Sequence, residues 1–304
     1  VPSCTFQELI DVRKELTVLA TASVTVASLT INSVTDARRI VLNSTGAMPL
    51  TWAGDNQQSA NFQSFAALKN WIVQYGSVKN RVKVMGDVPI TTTIDLTGFT
   101  KEVLIDGSEG SFTVTANKGV LVGSNVTLDS CTFSYLASGL SFVAGDEINS
   151  GNGCIFGAAG TNISGLTVRN CTFTYASATQ RPPFINLEMN KAQVNDKIKI
   201  FDNTFTDTTP SNENQAAIAI FSLNAGAGTD PAVLSNSIIS RNICSHKQGI
   251  YVTVIKGAVG PEAPGLNVVN STIEGNSCGK IGYLTSAYPN TLSSQTQVDR
   301  SQGL

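Results

Sequence analysis

Short runs of alternating apolar and polar residues fill most of the chain, and several share one frame. Residues 126–133 (VTLDSCTF), 166–173 (LTVRNCTF) and 198–205 (IKIFDNTF) are the strongest copies. Residues 239–244 (ISRNIC) and 273–278 (IEGNSC) are weaker ones, and Val103 to Ser108 reads as a degenerate earlier copy. In the five clear copies a β-branched residue or Leu stands three positions before a Cys or Asn, and a Phe or Cys stands two positions after it. Alternation at period two buries one face of a strand. A polar bend then resets the chain before a second short inward-facing strand. Recurrence of the same slot predicts coils stacked about 4.8 Å apart, with like side chains in ladders of Ile/Val/Leu, Phe, and Asn or Cys. A stacked Asn satisfies its amide from the coils above and below. The predicted fold is all-β, a single-stranded right-handed parallel β-helix. An antiparallel sandwich of the immunoglobulin or jelly-roll type leaves the recurrence unexplained.

The slot residues are Ser108, Cys131, Cys171, Asn203, Asn242 and Asn276. All but the first interval exceed the roughly 20–25 residues of a bare coil, which predicts insertion loops, the longest near 136–160. Upstream, apolar residues at Phe65, Leu68, Trp71, Ile72 and Tyr75 have helical spacing, with Ser64 as N-cap and Gly76 as terminator. A helix here, followed by a strand over Arg81–Met85, would cover the open end of the apolar bore. Residues 61–285 thus form the β-helix with its capping helix. Residues 1–60 break from the frame and read as an attachment or packing segment, with a helix over Phe6–Leu19 and a strand over Val24–Ile31. Residues 286–304 read as an extended C-terminal tail.

Charged residues are only 14% of the chain, below the roughly 25% of an ordinary soluble domain. Ser, Thr, Asn and Gly fill the difference, which suits a β-rich extracellular or virion protein. With net charge −2 and no Lys/Arg cluster along the sequence, nucleic acid is not an expected partner. No apolar run is long enough to span a membrane, and the start does not read as a signal peptide. The six cysteines (Cys4, Cys131, Cys154, Cys171, Cys244, Cys278) form no C-x-x-C pair. They read as small buried hydrophobes rather than disulfides or zinc ligands. No metal or other cofactor is expected.

The helix Ser64–Gly76, the entry strand Val82–Met85 and coils marked by residues 168–173 (VRNCTF) and 200–205 (IFDNTF) together resemble the pectate-lyase-like β-helix superfamily, and within it bacteriophage tailspikes and related virion proteins. The resemblance covers about residues 61–285. It implies a particle-borne protein, side-by-side homotrimers, and attachment to other virion proteins through residues 1–60. It also implies a host surface polysaccharide as ligand.

Enzymes of that superfamily cleave polysaccharide with acid pairs or with calcium and a basic residue, and glycoside hydrolysis needs two flanking carboxylates. The N-T-D, D-D and G-H-G marks of one branch are absent, and Arg181-Pro182-Pro183 is an incomplete echo of the R-x-P-x-x-R run of another. Asp146, Glu147 and Glu188 remain as catalytic candidates, the first two on the longest insertion and Glu188 facing outward from a strand. Asp196, Asp202, Asp207 and Asp230 read as turn residues, and His246 as a surface histidine. Tyr135 and Tyr175 each follow a C-T-F mark by two residues and are candidate sugar-stacking rings. Five Asn-x-Ser/Thr sequons reflect Asn and Thr richness, since Asn170 lies inside the repeat. The expected function is a receptor-binding virion spike that presents a β-helix face to glycan, the alternative being a polysaccharide depolymerase.

Overall fold

The computed structural model describes residues 4–12, 16–20, 24–31, 40–44, 50–54, 59–62, 64–115, 118–136, 153–175, 182–190, 192–207, 216–223, 231–244, 249–255, 266–278, 280–282 and 297–298. The chain is mostly strand, with one helix among the described residues, and its sheets are overwhelmingly parallel. From Lys79 onward it repeats a circuit. Strand Lys79–Val84 belongs to a 12-stranded sheet (sheet 1), Asp87–Ile90 to a six-stranded sheet (sheet 2) and Ile94–Leu96 to a seven-stranded sheet (sheet 3). Glu102–Asp106 then returns to sheet 1, parallel to Lys79–Val84. The later circuits follow the same cyclic order. A three-stranded sheet 4 (Val194–Asp196, Ala232–Ser235, Leu266–Val269) enters between sheets 3 and 1.

Register brings like residues together. Along sheet 1, Val82, Ile105, Leu128, Val168, Ile200, Ile239 and Ile273 form one inward column. On sheet 2, Phe112, Phe133, Phe173 and Phe205 stack with centroids 4.8, 5.1 and 4.8 Å apart. These separations match the spacing of adjacent strands, so the rings pack face to face because the backbone pairing places them so. At the bend between sheets 1 and 2, Asn203, Asn242 and Asn276 are fully buried. Asn203 Nδ2 donates to Asn242 Oδ1 (2.9 Å) and to Val168 O (3.0 Å). Asn242 Nδ2 repeats the pattern with Asn276 Oδ1 (2.9 Å) and Ile200 O (2.9 Å). The backbone N–H of Cys171 donates to Asn203 Oδ1, extending the ladder into the cysteine positions.

The residue before each slot has a left-handed backbone: Ser130, Asn170, Asp202, Arg241 and Gly275, with φ between 53° and 61°. A second such column, Asn125, Gly165, Lys197, Asn236 and Asn270, precedes the strands of sheet 1. Asn, Asp and Gly are the residues that tolerate this region, which is why polar short side chains punctuate the repeat. The first slot departs from expectation. Ser108 is exposed, and Gly107 lies beneath Cys131, where a Cβ would come within 2.6 Å of the Cys131 Cα. Only glycine permits that approach.

The helix forms over Phe65–Tyr75, its Ser64 Oγ accepting from the Ala67 N–H at 3.3 Å. Its buried face sets Phe65 5.9 Å from Phe112, the first ring of the column, and Trp71 5.7 Å from Trp52. Trp52 Nε1 donates to Asn80 Oδ1 (3.0 Å), tying strand Leu50–Ala53 to the first circuit.

Two expectations upstream and downstream are corrected. The helix expected over Phe6–Leu19 is absent: Cys4–Val12 and Leu16–Ala20 are strands, paired in parallel with Val24–Ile31 and Ile40–Ser44. Long-range pairing overrides the local helical reading of the interleaved charges. The strand expected at Val24–Ile31 is present. Leu16–Ala20, Ile40–Ser44 and Ser59–Phe62 extend sheet 1, and Leu50–Ala53 runs antiparallel between Ser59–Phe62 and Lys79–Val84. The second correction concerns cysteine: Cys244 and Cys278 are joined as a disulfide, with Cα atoms 4.7 Å apart. They occupy the Phe slot of consecutive circuits, where register holds them at bonding distance. Cys131, Cys154 and Cys171 are buried thiols. Of the tail 286–304, only Gln297–Val298 is described, pairing with Thr272–Glu274.

Candidate functional site

Outward positions of the stacked strands determine what the molecule shows to a ligand. Sheet 2 shows hydroxyls: Ser111, Thr132, Thr172 and Thr204 form one column, and Thr113, Ser134, Thr174 and Thr206 another. Sheet 3 carries larger groups on its outward positions, but most are covered: Asn186, Phe221 and Tyr251 are buried, and Glu188 alone of the four is partly exposed. Asn186, Glu188, Phe221 and Tyr251 lie on its outer side, and Ala216, Ala219, Phe221 and Tyr251 form a separate apolar cluster there. Glu188 stands beside Phe221 in register and is half-buried. Burial raises its carboxyl above the ordinary glutamate value. The outward placement expected for Glu188 therefore holds. Asp146 and Glu147 lie outside the described residues, as do Asp230 and His246, and the Asp207 side chain is likewise not described.

The two tyrosines are a correction. Tyr135 and Tyr175 follow Phe133 and Phe173 by two residues, so they share the inward face of their strands. Both are buried, and their rings meet at 5.3 Å. Tyr175 stacks on Phe184 at 4.0 Å and donates its hydroxyl to the Pro182 carbonyl. Neither ring offers a face to a sugar.

Sheet 1 carries a groove of about 690 Å³ on its outer side, crossing five neighbouring strands from Lys79–Val84 to Lys199–Phe201. Its charged lining is Lys79, Arg81, Glu102, Arg169, Lys197 and Lys199. These residues are scattered over more than a hundred positions, so no run of basic residues in the sequence announces them; stacking alone gathers them.

No family model, curated protein or solved structure matches this chain. The groove must therefore be read from its own chemistry.

Arg81 Nη2 donates to Asp106 Oδ2 at 2.5 Å, and Arg169 holds Asp129 Oδ2 through Nε (3.0 Å) and Nη2 (2.7 Å). Burial raises the Asp106 pKa, but hydrogen bonds from Arg81 and Ser108, with the Arg81 charge, outweigh it and hold the carboxyl at about 2. Asp129 is lowered against burial by Asn170 and Arg169. Asp196 is lowered chiefly by hydrogen bonds from Asn236 and Ser235. Asp202 is lowered by Arg241, whose guanidinium also stands 5.6 Å over the Phe201 ring. Asp196 and Asp202 thus hold the bends, as their positions in the sequence implied. Among the described residues no group of three or more His, Cys, Asp or Glu is arranged to hold a metal ion.

Proposed function

We propose that this chain is a right-handed parallel β-helix and serves as a spike-like, receptor-binding virion protein that presents its side to host-surface glycan. The cyclic visiting of parallel sheets supports the helix, and the chirality of parallel crossover connections supports the right hand. The glycan reading rests on one observation, the sheet 1 groove. Five strands about 4.8 Å apart give it a length of about 19 Å, room for several sugar rings. Its walls carry long polar side chains together with the hydroxyls of Thr127 and Thr167. Its one lining carboxylate is Glu102, whereas bond cleavage by acid and base requires two. Binding without cutting fits this lining.

In this reading residues 1–60 meet other virion proteins and the shaft assembles as a homotrimer, as the family resemblance implies. Depolymerase activity is the second reading, favoured by Glu188, whose raised pKa suits a general acid on sheet 3. Incubation with polysaccharides from candidate hosts separates the two. Retention of glycan with no new reducing ends and no ultraviolet absorbance from unsaturated sugars is expected. Sustained turnover that disappears in Glu188→Gln would overturn the binding role in favour of catalysis.

A further inference from the structure

We infer that the sheet 1 groove selects a sparsely charged acidic polysaccharide, one bearing carboxylates on its sugars; the inference rests on the glycan-binding reading above. The argument is the layering of charge. The Asp106 and Asp129 side chains are 10% and 19% exposed, while their partners Arg81 and Arg169 are 63% and 38% exposed. The acids lie beneath and orient the guanidiniums, which stand at the surface as planar donors matched to a carboxylate. Lys197, whose ammonium lies 3.5 Å from Asp196, is 70% exposed, and exposed Lys199 lines the same groove two residues away.

The amount of charge matters as much as its sign. The five lining cations face Glu102 and the three partner aspartates Asp106, Asp129 and Asp196, which leaves the groove about one charge positive. Duplex DNA, with a negative charge about every 1.7 Å, calls for many more cations than this. Single strands are held by stacking on aromatic faces; the groove's one aromatic, Phe201, is already overlaid by Arg241. A polymer with widely spaced carboxylates matches a few pre-oriented cations set among hydroxyls.

The test uses the full chain and four probes: hyaluronan, which carries a carboxylate on every second sugar, hyaluronan with its carboxyls reduced to alcohols, neutral dextran, and duplex DNA. Calorimetry or affinity electrophoresis at two salt concentrations reads the affinities. The expected result is preference for hyaluronan, weakened about tenfold or more by carboxyl reduction, by added salt, and by the exposed double substitution Lys197→Gln/Lys199→Gln. Lys118→Gln, outside the groove, should change nothing, and thermal melting of each variant confirms folding. Equal affinity for hyaluronan and its reduced form, or for dextran, would overturn the acidic selectivity and leave glycan binding standing. Tighter binding of DNA would overturn the choice of polymer class. Failure to hold any of these glycans or any host polysaccharide would remove the glycan-binding reading itself.

Discussion

Asn242→Ala tests whether the buried asparagine ladder sets the stability of the stack. Asn242 Oδ1 accepts from the Asn203 backbone N–H (3.2 Å) and from Asn203 Nδ2 (2.9 Å), while its Nδ2 donates to Asn276 Oδ1 and Ile200 O (each 2.9 Å). Truncation leaves these partners unequally placed. Asn203 Nδ2 keeps Val168 O, and Asn276 Oδ1 keeps the Asn242 backbone N–H. The Ile200 carbonyl keeps the Ser240 N–H of the sheet 1 ladder, so the Asn203 N–H alone loses its partner, in a slot closed to water. An orphaned buried group costs about 1–3 kcal/mol, so with the other lost side-chain bonds a loss of about 2–3 kcal/mol is expected, above the typical ~1 kcal/mol of a point substitution. Urea denaturation followed by far-ultraviolet circular dichroism measures it as a lower midpoint at unchanged slope. An exposed change of similar size, Thr172→Ala on the outer side of sheet 2, provides the reference and should cost little. A loss below about 1 kcal/mol for Asn242→Ala, with native signal intact, would refute the accounting, because it would mean the orphaned N–H finds another partner.

Three further outcomes follow from the same geometry. Removing the disulfide by Cys244→Ser/Cys278→Ser closes no loop across the 34-residue separation; chain entropy puts the loss at about 3–4 kcal/mol, read as a lower melting temperature that wild-type protein reproduces only when reduced. Asp106 has a folded pKa of about 2, depressed below its unfolded value. Its contribution is therefore present above pH ~4 and lost as pH falls toward ~2, about 1–2 kcal/mol after allowing for the exposure of Arg81. Urea midpoints across that window should fall more steeply for wild type than for Asp106→Asn. Ala192 is exposed with φ 58°; Ala192→Gly relieves a left-handed strain of about 1–2 kcal/mol against a smaller entropic loss, so melting should rise, and a fall would contradict the strain.

The inward ladders were legible because stacking preserves sequence phase. Leu128, Cys131 and Phe133 keep their offsets in the five circuits from Val126 onward, and the register realises them. The same phase rule places Tyr135 on the inner face two residues after Phe133, so its burial was available from alternation alone. The disulfide was legible in principle too, since Cys244 and Cys278 both replace the Phe two positions after the Asn; reading each cysteine singly concealed the pair. Other features were not legible. Phe6–Leu19 becomes strand through partners at Val24–Ile31 and Ile40–Ser44, a non-local cause with no local signature. The groove collects Lys79, Arg81, Arg169, Lys197 and Lys199 from strands far apart in the chain; the shared frame aligns Thr127, Thr167 and Lys199 as neighbours, but Lys79 and Arg81 lie outside every copy of it.

Strand Leu50–Ala53 is the one place among the described pairings of sheet 1 where the direction reverses. Parallel partners share evenly spaced, slanted hydrogen bonds, whereas antiparallel partners alternate close and wide pairs. A new circuit that docks by the parallel rule finds no matching template on this strand. The reversal therefore separates two runs of parallel register: the circuits from Lys79 onward take their parallel alignment from one another and not from the strands before Leu50.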